Sequence, residues 1–460
     1  MYQFDFDNPC WVHFIGIGGI SMSGLAELLH SKGFKVTGSD SYETPMVERL
    51  RSHGIDVKHG HDTSHIDAEM GAVVYTAAIH PDNPEYAEAE RLGIPMLNRA
   101  EFLGQVMRNY PVSINVSGTH GKTTTTSMVA QLLLDAQLDP TVFVGGMVDA
   151  IGGNFRIGKS ENFVAEACEY TNSFLSSYPT TAIILNIAAE HLDFFKDLDD
   201  IRKSFRKFAQ LVPEHGLTVI DSAIDNYEEI VDGLKCRVMT VGFNPEDDYY
   251  ADEIEYSDTA CASFTVHEKG GETARISLRI PGDHNISNAL AAIAAVRDLG
   301  VSFEDIAETF KVFGGAHRRF EIKGQLPNGV TIIDDYAHHP DEIRATLAAA
   351  KKYKDARVLC VFQPHTYSRV KTLMNEFVDA LALADVVVMA DVYSDREKDN
   401  LGVSSKDITD RLVARGRDAY YFKTFEEIEE FFSKKCVNGD LLITIGSKNV
   451  YLIGDHLLGK

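Results

Sequence analysis

Paired cysteines are missing from this chain of 460 residues: Cys10, Cys168, Cys236, Cys261, Cys360 and Cys436 form no Cys-x-x-Cys. They read as reduced thiols of a cytosolic protein. Basic residues are scarce, 44 against 68 acidic ones, for a net charge of −24. That excludes a general nucleic-acid binder, which needs a basic face. Small anionic substrates stay open if local Lys, Arg or helix N-termini offset the field. No apolar run nears the roughly 18 residues of a membrane helix, so no membrane partner is expected. The start, Met-Tyr-Gln-Phe-Asp-Phe-Asp, lacks the basic and apolar regions of a signal peptide. Internal repeats and low-complexity tracts are absent too.

What is present is ordinary globular composition, 44% hydrophobic and 24% charged. The length suits two to four domains at roughly 100–200 residues each. Apolar strands alternate with helical patterns, which predicts α/β units with parallel sheets. Strands are expected at Val12–Ile15, from Lys35 to Asp40, and at Ala72–Tyr75, Val112–Val116, Phe163–Ala165 and Ala182–Asn186. Cys261–His267 and Ala274–Ile280 flank Lys269-Gly270-Gly271-Glu272 as a hairpin. Asn285–Leu299 reads as a helix stopped by Gly300. Further strands fit Thr331–Ile333, Val358–Phe362, Val386–Met389 and Leu441–Ile445, after a hinge at Gly314-Gly315. The expected plan is three α/β domains: a Rossmann-like domain at 1–108, a central P-loop ATPase-type domain at 109–316 and a Rossmann-like C-terminal domain at 317–460.

The strongest local signal is Ser117-Gly118-Thr119-His120-Gly121-Lys122-Thr123-Thr124, between a strand and a helix. Such a turn aims backbone N–H groups at phosphate. Lys122 would reach the β- and γ-phosphates and the Thr123 hydroxyl would hold Mg²⁺. Val116 stands where the usual pattern has glycine, so the loop is a shortened variant. A second turn, Gly16-Ile17-Gly18-Gly19-Ile20-Ser21, follows the first strand, and Asp40 ends the next. It matches a dinucleotide fingerprint loosely. A nicotinamide cofactor, the diphosphate of a UDP-sugar, or a plain tight turn would all suit it.

Six ordered segments together resemble the Mur ligases, over nearly the whole chain. They are Gly118–Thr124; Asn186-Ile187-Ala188-Ala189-Glu190-His191-Leu192-Asp193; Pro281-Gly282-Asp283-His284-Asn285-Ile286-Ser287-Asn288; His317-Arg318-Arg319-Phe320-Glu321; Asp334-Asp335-Tyr336-Ala337-His338-His339-Pro340; and Phe362-Gln363-Pro364-His365-Thr366-Tyr367-Ser368-Arg369. His120, the first glycine turn and the double histidine before Pro340 point to the alanine-adding branch. The resemblance implies a cytoplasmic, ATP-dependent ligase of peptidoglycan precursor synthesis. It would join L-alanine to the lactyl carboxylate of UDP-N-acetylmuramate through an acyl phosphate, releasing ADP and phosphate, as a monomer or weak homodimer. Transfer between two anions needs metal and cationic clamps more than nucleophiles.

By the same resemblance, Gly118, Thr119, His120, Gly121, Lys122, Thr123, Thr124, Asn285, Asn288, Arg319 and Asp335 bind ATP. Two Mg²⁺ ions are implied, with Thr123, Glu166 and His191 as ligands and Glu169 as the competing acid. Gly16, Gly18, Gly19, Ser21 and Asp40 fall to the UDP-sugar. Tyr336, His338, His365 and Arg369 fall to the amino-acid pocket, His338 and Arg369 joining Lys122, Glu166 and His191 as the catalytic set. The chain also departs from the family. Thr366 replaces an Arg, Cys168-Glu169-Tyr170-Thr171-Asn172 a more acidic run, Glu190 an Asp, and Gly446-Ser447-Lys448-Asn449 the usual Gly-Ala-Gly-Asp. Lys203 and Lys207 lie near the place where some relatives carry a carbamylated lysine. The competing activities are a ligase attaching a whole peptide, one accepting glycine or serine, a nicotinamide-linked dehydrogenase and a non-catalytic UDP-sugar sensor.

Overall fold

The computed structural model describes residues 3–191, 194–394, 397 and 399–460. Two compact units divide the chain: Met1–Tyr250 with Leu290–Asp305, and Ala251–Ala289 with Ile306–Lys460. No helix among the described residues is long and apolar enough to cross a membrane.

The first unit opens with five strands, β1 (Trp11–Ile15), β2 (Lys35–Asp40), β3 (Asp56–His59), β4 (Ala72–Tyr75) and β5 (Met96–Asn98). They form a parallel sheet in the order β3-β2-β1-β4-β5. The order reverses beside β1, so the crevice for a ligand opens at its C-terminal end, where the first glycine turn lies. The helix Ile20–Ser31 that follows buries Met22, Leu25, Leu28 and Leu29 at helical spacing. The helix Arg99–Met107 starts on a capping box of Asn98 and Glu101.

A second sheet in this unit uses β6 (Val112–Ser117), β7 (Thr141–Val148), β8 (Gly153–Arg156), β9 (Asn162–Glu166), β10 (Thr181–Ile184), β11 (Leu217–Asp221) and β12 (Arg237–Gly242). Their order is β12-β11-β10-β6-β9-β7-β8, parallel except for β8. Here β6 lies between β10 and β9, so the residues after all three strands converge. One core ties the two sheets together. Phe14 and Phe102 from the first share it with Phe143, Phe163 and Ala165 of the second. Phe14, Phe102 and Phe163 are wholly buried, each stabilising by about 1.5–3 kcal/mol. Strand β13 (Tyr249–Tyr256) begins by pairing with β12 and crosses the division between the units.

In the second unit, β14 (Cys261–Glu268) and β15 (Thr273–Pro281) form the expected hairpin. The remaining strands are β16 (Glu321–Gln325), β17 (Thr331–Asp335), β18 (Val358–Phe362), β19 (Val386–Met389), β20 (Asp418–Tyr421) and β21 (Leu441–Ile445). Their order is β16-β17-β21-β18-β19-β20, with only β16 antiparallel. Apolar residues fill both faces, Ile333, Val361 and Ile443 among them, as helices on both sides of a parallel sheet require.

Candidate active site

Strand β6 delivers the chain into the phosphate turn, and the helix Lys122–Asp135 leaves it. Gly118 has φ +144°, and a Cβ there would stand 3.2 Å from the Asn186 backbone nitrogen. Only glycine tolerates both the conformation and the approach. The segment after β10 fixes the turn. Asn186 O accepts from Thr119 N at 3.1 Å, its side chain exchanges two bonds with the His120 backbone at 2.8 and 3.0 Å, and Ala188 N donates to Thr119 Oγ1 at 2.8 Å. These bonds join two stretches that lie almost seventy residues apart.

Lys122 Nζ donates to Gly118 O at 2.5 Å, Thr119 O at 3.0 Å and Glu169 Oε2 at 3.0 Å. Burial works against its charge, but Glu169, Cys168 and Glu190 outweigh burial, and its pKa is raised. Glu169 Oε1 lies 3.7 Å from His191 Nε2, and the ligand atoms of Glu169, Glu190 and His191 lie within 4.8 Å of one another. His191 holds a left-handed backbone, φ 55°, and its ring packs on Tyr170 at 4.4 Å. Two carboxylates suit a hard divalent cation, so this donor set fits Mg²⁺. Thr123 is buried on the first helical turn. Glu166 ends β9 outside this cluster, its Oε1 accepting from Gly145 N at 2.6 Å. Leu192 and Asp193 of the histidine segment lie outside the described residues.

Glu166 lines a cavity of about 210 Å³ together with Ser21, Arg99, Gly145, Asn154 and Ser173. Ser21 and Glu166 are thus brought to one space, 145 residues apart in sequence. Arg99 escaped the sequence reading. The cap signal Asn98-x-x-Glu101 marks the start of its helix, but nothing local marks the arginine as lining a cavity. In the first turn, Gly16 N and Ile17 N donate to Ser39 O at 2.8 and 3.0 Å. Gly18 N donates to Asp40 Oδ2 at 2.9 Å, and a Cβ on Gly18 would stand 2.9 Å from that same oxygen. Gly19 precedes the helix as its N-cap. Asp40 is therefore engaged with the turn itself.

In the second unit, Asn285 Nδ2 donates to Pro281 O at 2.7 Å and Asn288 Nδ2 to Asn285 Oδ1 at 3.0 Å, both side chains buried at a helix start. Arg318 is committed to the fold, donating to Asp334 at 2.9 Å and Gly446 O at 2.6 Å. Arg319 lies over the Tyr336 ring at 5.2 Å. Burial pushes the Asp335 carboxyl up to about 6, although Arg319 and the N–H groups of Ala337 and Phe320 oppose it. The rings of Tyr336 and His338 lie 5.5 Å apart, and Glu342 holds His338 Nδ1 at 3.2 Å. After β18, His365 bridges to Tyr393, and Thr366 has φ 68°, uncommon for a β-branched residue. Arg369 Nη1 is buried with no hydrogen-bond partner among the described residues. A shielded N–H on this partly exposed guanidinium is suited to a ligand carboxylate.

Comparison with known proteins agrees with this architecture. Residues 11–111 match the Mur ligase family catalytic domain, 116–296 the Mur ligase middle domain, and 318–448 the glutamate ligase domain of the Mur ligases. The UDP-N-acetylmuramate–L-alanine ligase of Agathobacter rectalis is 57% identical over 460 residues, all of both chains. That of Lachnospira eligens is 52% identical over 459 residues, again covering 100% of each. The crystal structure of the UDP-N-acetylmuramate–alanine ligase MurC from Thermotoga maritima superposes with a TM-score of 0.79, at 31% identity and 98% coverage of both chains. The three domain matches account for most of the sequence, and the chain belongs to the Mur ligase family.

Proposed function

We propose that this protein joins L-alanine to UDP-N-acetylmuramate at the expense of ATP, in peptidoglycan precursor synthesis in the cytoplasm, as a monomer or weak homodimer. The observation that carries this reading is the full-length identity to ligases of that name, 57% with the A. rectalis enzyme, together with the intact phosphate turn. Domains at 1–108, 109–316 and 317–460 remain the proposed division of labour.

ATP would lie on Gly118–Thr124, with Asn285, Asn288, Arg319 and Asp335 assigned to it by resemblance. Lys122, already cationic and desolvated, would meet the transferring phosphoryl group, where a fixed charge in a water-poor site acts most strongly. The lactyl carboxylate attacks the γ-phosphorus, the bond to the bridging oxygen of ADP breaks, and an acyl phosphate forms. The amine of alanine then adds to the acyl carbon, phosphate departs with the C–O bond electrons, and the amine loses a proton. Arg369 and His365 would fix the alanine carboxylate, while Tyr336 and His338 orient its amine. Thr123 and His191 would hold Mg²⁺, with Glu166 the acid assigned by resemblance and Glu169 the competing one, and the ion would supply neutralisation of phosphate charge. The short distance between Glu169 and His191 supports Glu169 as the acid closest to that histidine.

Ser21 and Arg99 line one cavity with Glu166, and the Arg99 cation there supports binding of the anionic sugar. Gly16, Gly18 and Gly19 would then take its diphosphate. The test is isotopic. With heavy oxygen in the lactyl carboxylate, one labelled oxygen is expected in the released phosphate. Phosphate without label would overturn the acyl-phosphate route.

A further inference from the structure

Glu85, the most deeply buried acid among the described residues, has no part in the proposed mechanism. Glu85 is wholly buried in the first turn of the helix Pro84–Leu92. Its carboxylate is gripped from three other segments. Ser39 Oγ donates to Oε2 at 2.5 Å, and His13 Nε2 from β1 lies 3.5 Å from the same oxygen. His65 Nδ1 lies 2.6 Å from Oε1, Asp62 N donates to that oxygen at 3.3 Å, and His61 Nδ1 stands 3.4 Å from Oε2. Among the described residues its only ion-pair partners are histidines. A helix N-terminus alone would account for an exposed acid in the first turn. It does not account for a carboxylate drawn into the interior, bonded by the end of β2 and the loop after β3 and facing His13 of β1 at ion-pair distance.

Ser39 is the link to function. Its side chain belongs to Glu85, and its carbonyl accepts both Gly16 N and Ile17 N. The next residue, Asp40, holds Gly18 N. Ser39 is thus clamped between a buried charge and the first glycine turn, and its position sets where that turn begins. We propose that Glu85 is a positioning residue for UDP-N-acetylmuramate, acting through Ser39 on the turn Gly16–Gly19. The inference rests on the reading that this turn takes the sugar diphosphate. A buried acid bonded by groups from separate segments fixes them together, because leaving any one of them unpaired costs more than the bond returns in water.

The test uses the full-length protein with Ser39→Ala, Glu85→Gln and Gly18→Ala, measuring KM for each substrate and, by calorimetry, the affinity for UDP-N-acetylmuramate without ATP. Ser39→Ala and Glu85→Gln are expected to raise the KM and dissociation constant for UDP-N-acetylmuramate about tenfold, while the KM values for ATP and alanine change by less than about twofold. Ser39→Thr, which keeps the hydroxyl, is expected to restore most of the affinity. A merely structural role would lower the active fraction and move no single KM. If Gly18→Ala abolishes sugar binding while Ser39→Ala and Glu85→Gln bind normally, the positioning role is overturned and the turn reading stands. If Gly18→Ala binds normally, the turn reading itself falls. Should Glu85→Gln fail to fold, Ser39→Ala decides, since it removes a single hydroxyl.

Discussion

Lys122 Nζ and Glu169 Oε2 stand 3.0 Å apart across the phosphate turn, and the same carboxylate reaches within 3.7 Å of His191. One acid therefore links the turn after β6 to the segment after β10. Removing one partner of a buried pair costs more than the pair itself contributes, because the survivor is left uncompensated. Lys122→Ala is expected to lower turnover on the order of 10³-fold or more, since it would delete the cation proposed to meet the transferring group. Near-normal phosphate release by the purified variant would contradict the assignment of the turn.

Glu169→Gln leaves Lys122 with only neutral acceptors. Its kcat is expected to fall by on the order of 10–100-fold, with a smaller change in the KM for alanine. Steady-state kinetics at saturating Mg²⁺ checks this, and an unchanged kcat would show that the pair is dispensable.

Arg369 is partly exposed, and one nitrogen of its guanidinium, Nη1, is buried without a partner among the described residues. Arg369→Lys removes the planar fork that a carboxylate fits. The KM for L-alanine is expected to rise about tenfold or more, the scale of one hydrogen bond to a charged group, while the KM for ATP stays near its normal value. A selective rise in the KM for ATP instead would place Arg369 elsewhere.

Glu85 gives a stability prediction with a definite sign. Burial alone would raise its pKa, but His13, Ser39 and His65 outweigh burial and take it from an ordinary 4.5 down to about 2. A carboxyl depressed in the folded state contributes stability that is full above pH 4.5 and is lost as pH falls towards 2. The shift corresponds to about 3 kcal/mol. Urea unfolding of Glu85→Gln is expected to show a deficit of that order at pH 7, narrowing steadily below pH 4.5. A gap independent of pH would contradict the charged network.

Much of this was legible because it is local. The turn Gly118–Thr124 sits in sequence between an apolar strand and a helix, and β1, β4, β18, β19 and β21 stand where short apolar runs lie. Strand β7 was not expected, because Gly145 and Gly146 interrupt its pattern and glycine disfavours strands. Strands β3 and β20 carry little apolar signal: Asp56-Val57-Lys58-His59 buries only Val57, and Asp418-Ala419-Tyr420-Tyr421 opens on an exposed acid and buries none of its residues fully. The choice between Glu166 and Glu169 could not be made from spacing. They stand three positions apart, yet one turns towards Gly145 and the other towards Lys122. The cage around Glu85 assembles residues 13, 39, 61, 65 and 85 from four segments, and only the sheet order β3-β2-β1-β4 brings them together.

The most direct measurement is ADP release by the purified protein with UDP-N-acetylmuramate, comparing L-alanine, glycine, serine and a cell-wall tripeptide as acceptors. The account predicts turnover that requires the UDP-sugar and is fastest with L-alanine. Turnover with the tripeptide equal to that with alanine, or none with alanine at all, would contradict it.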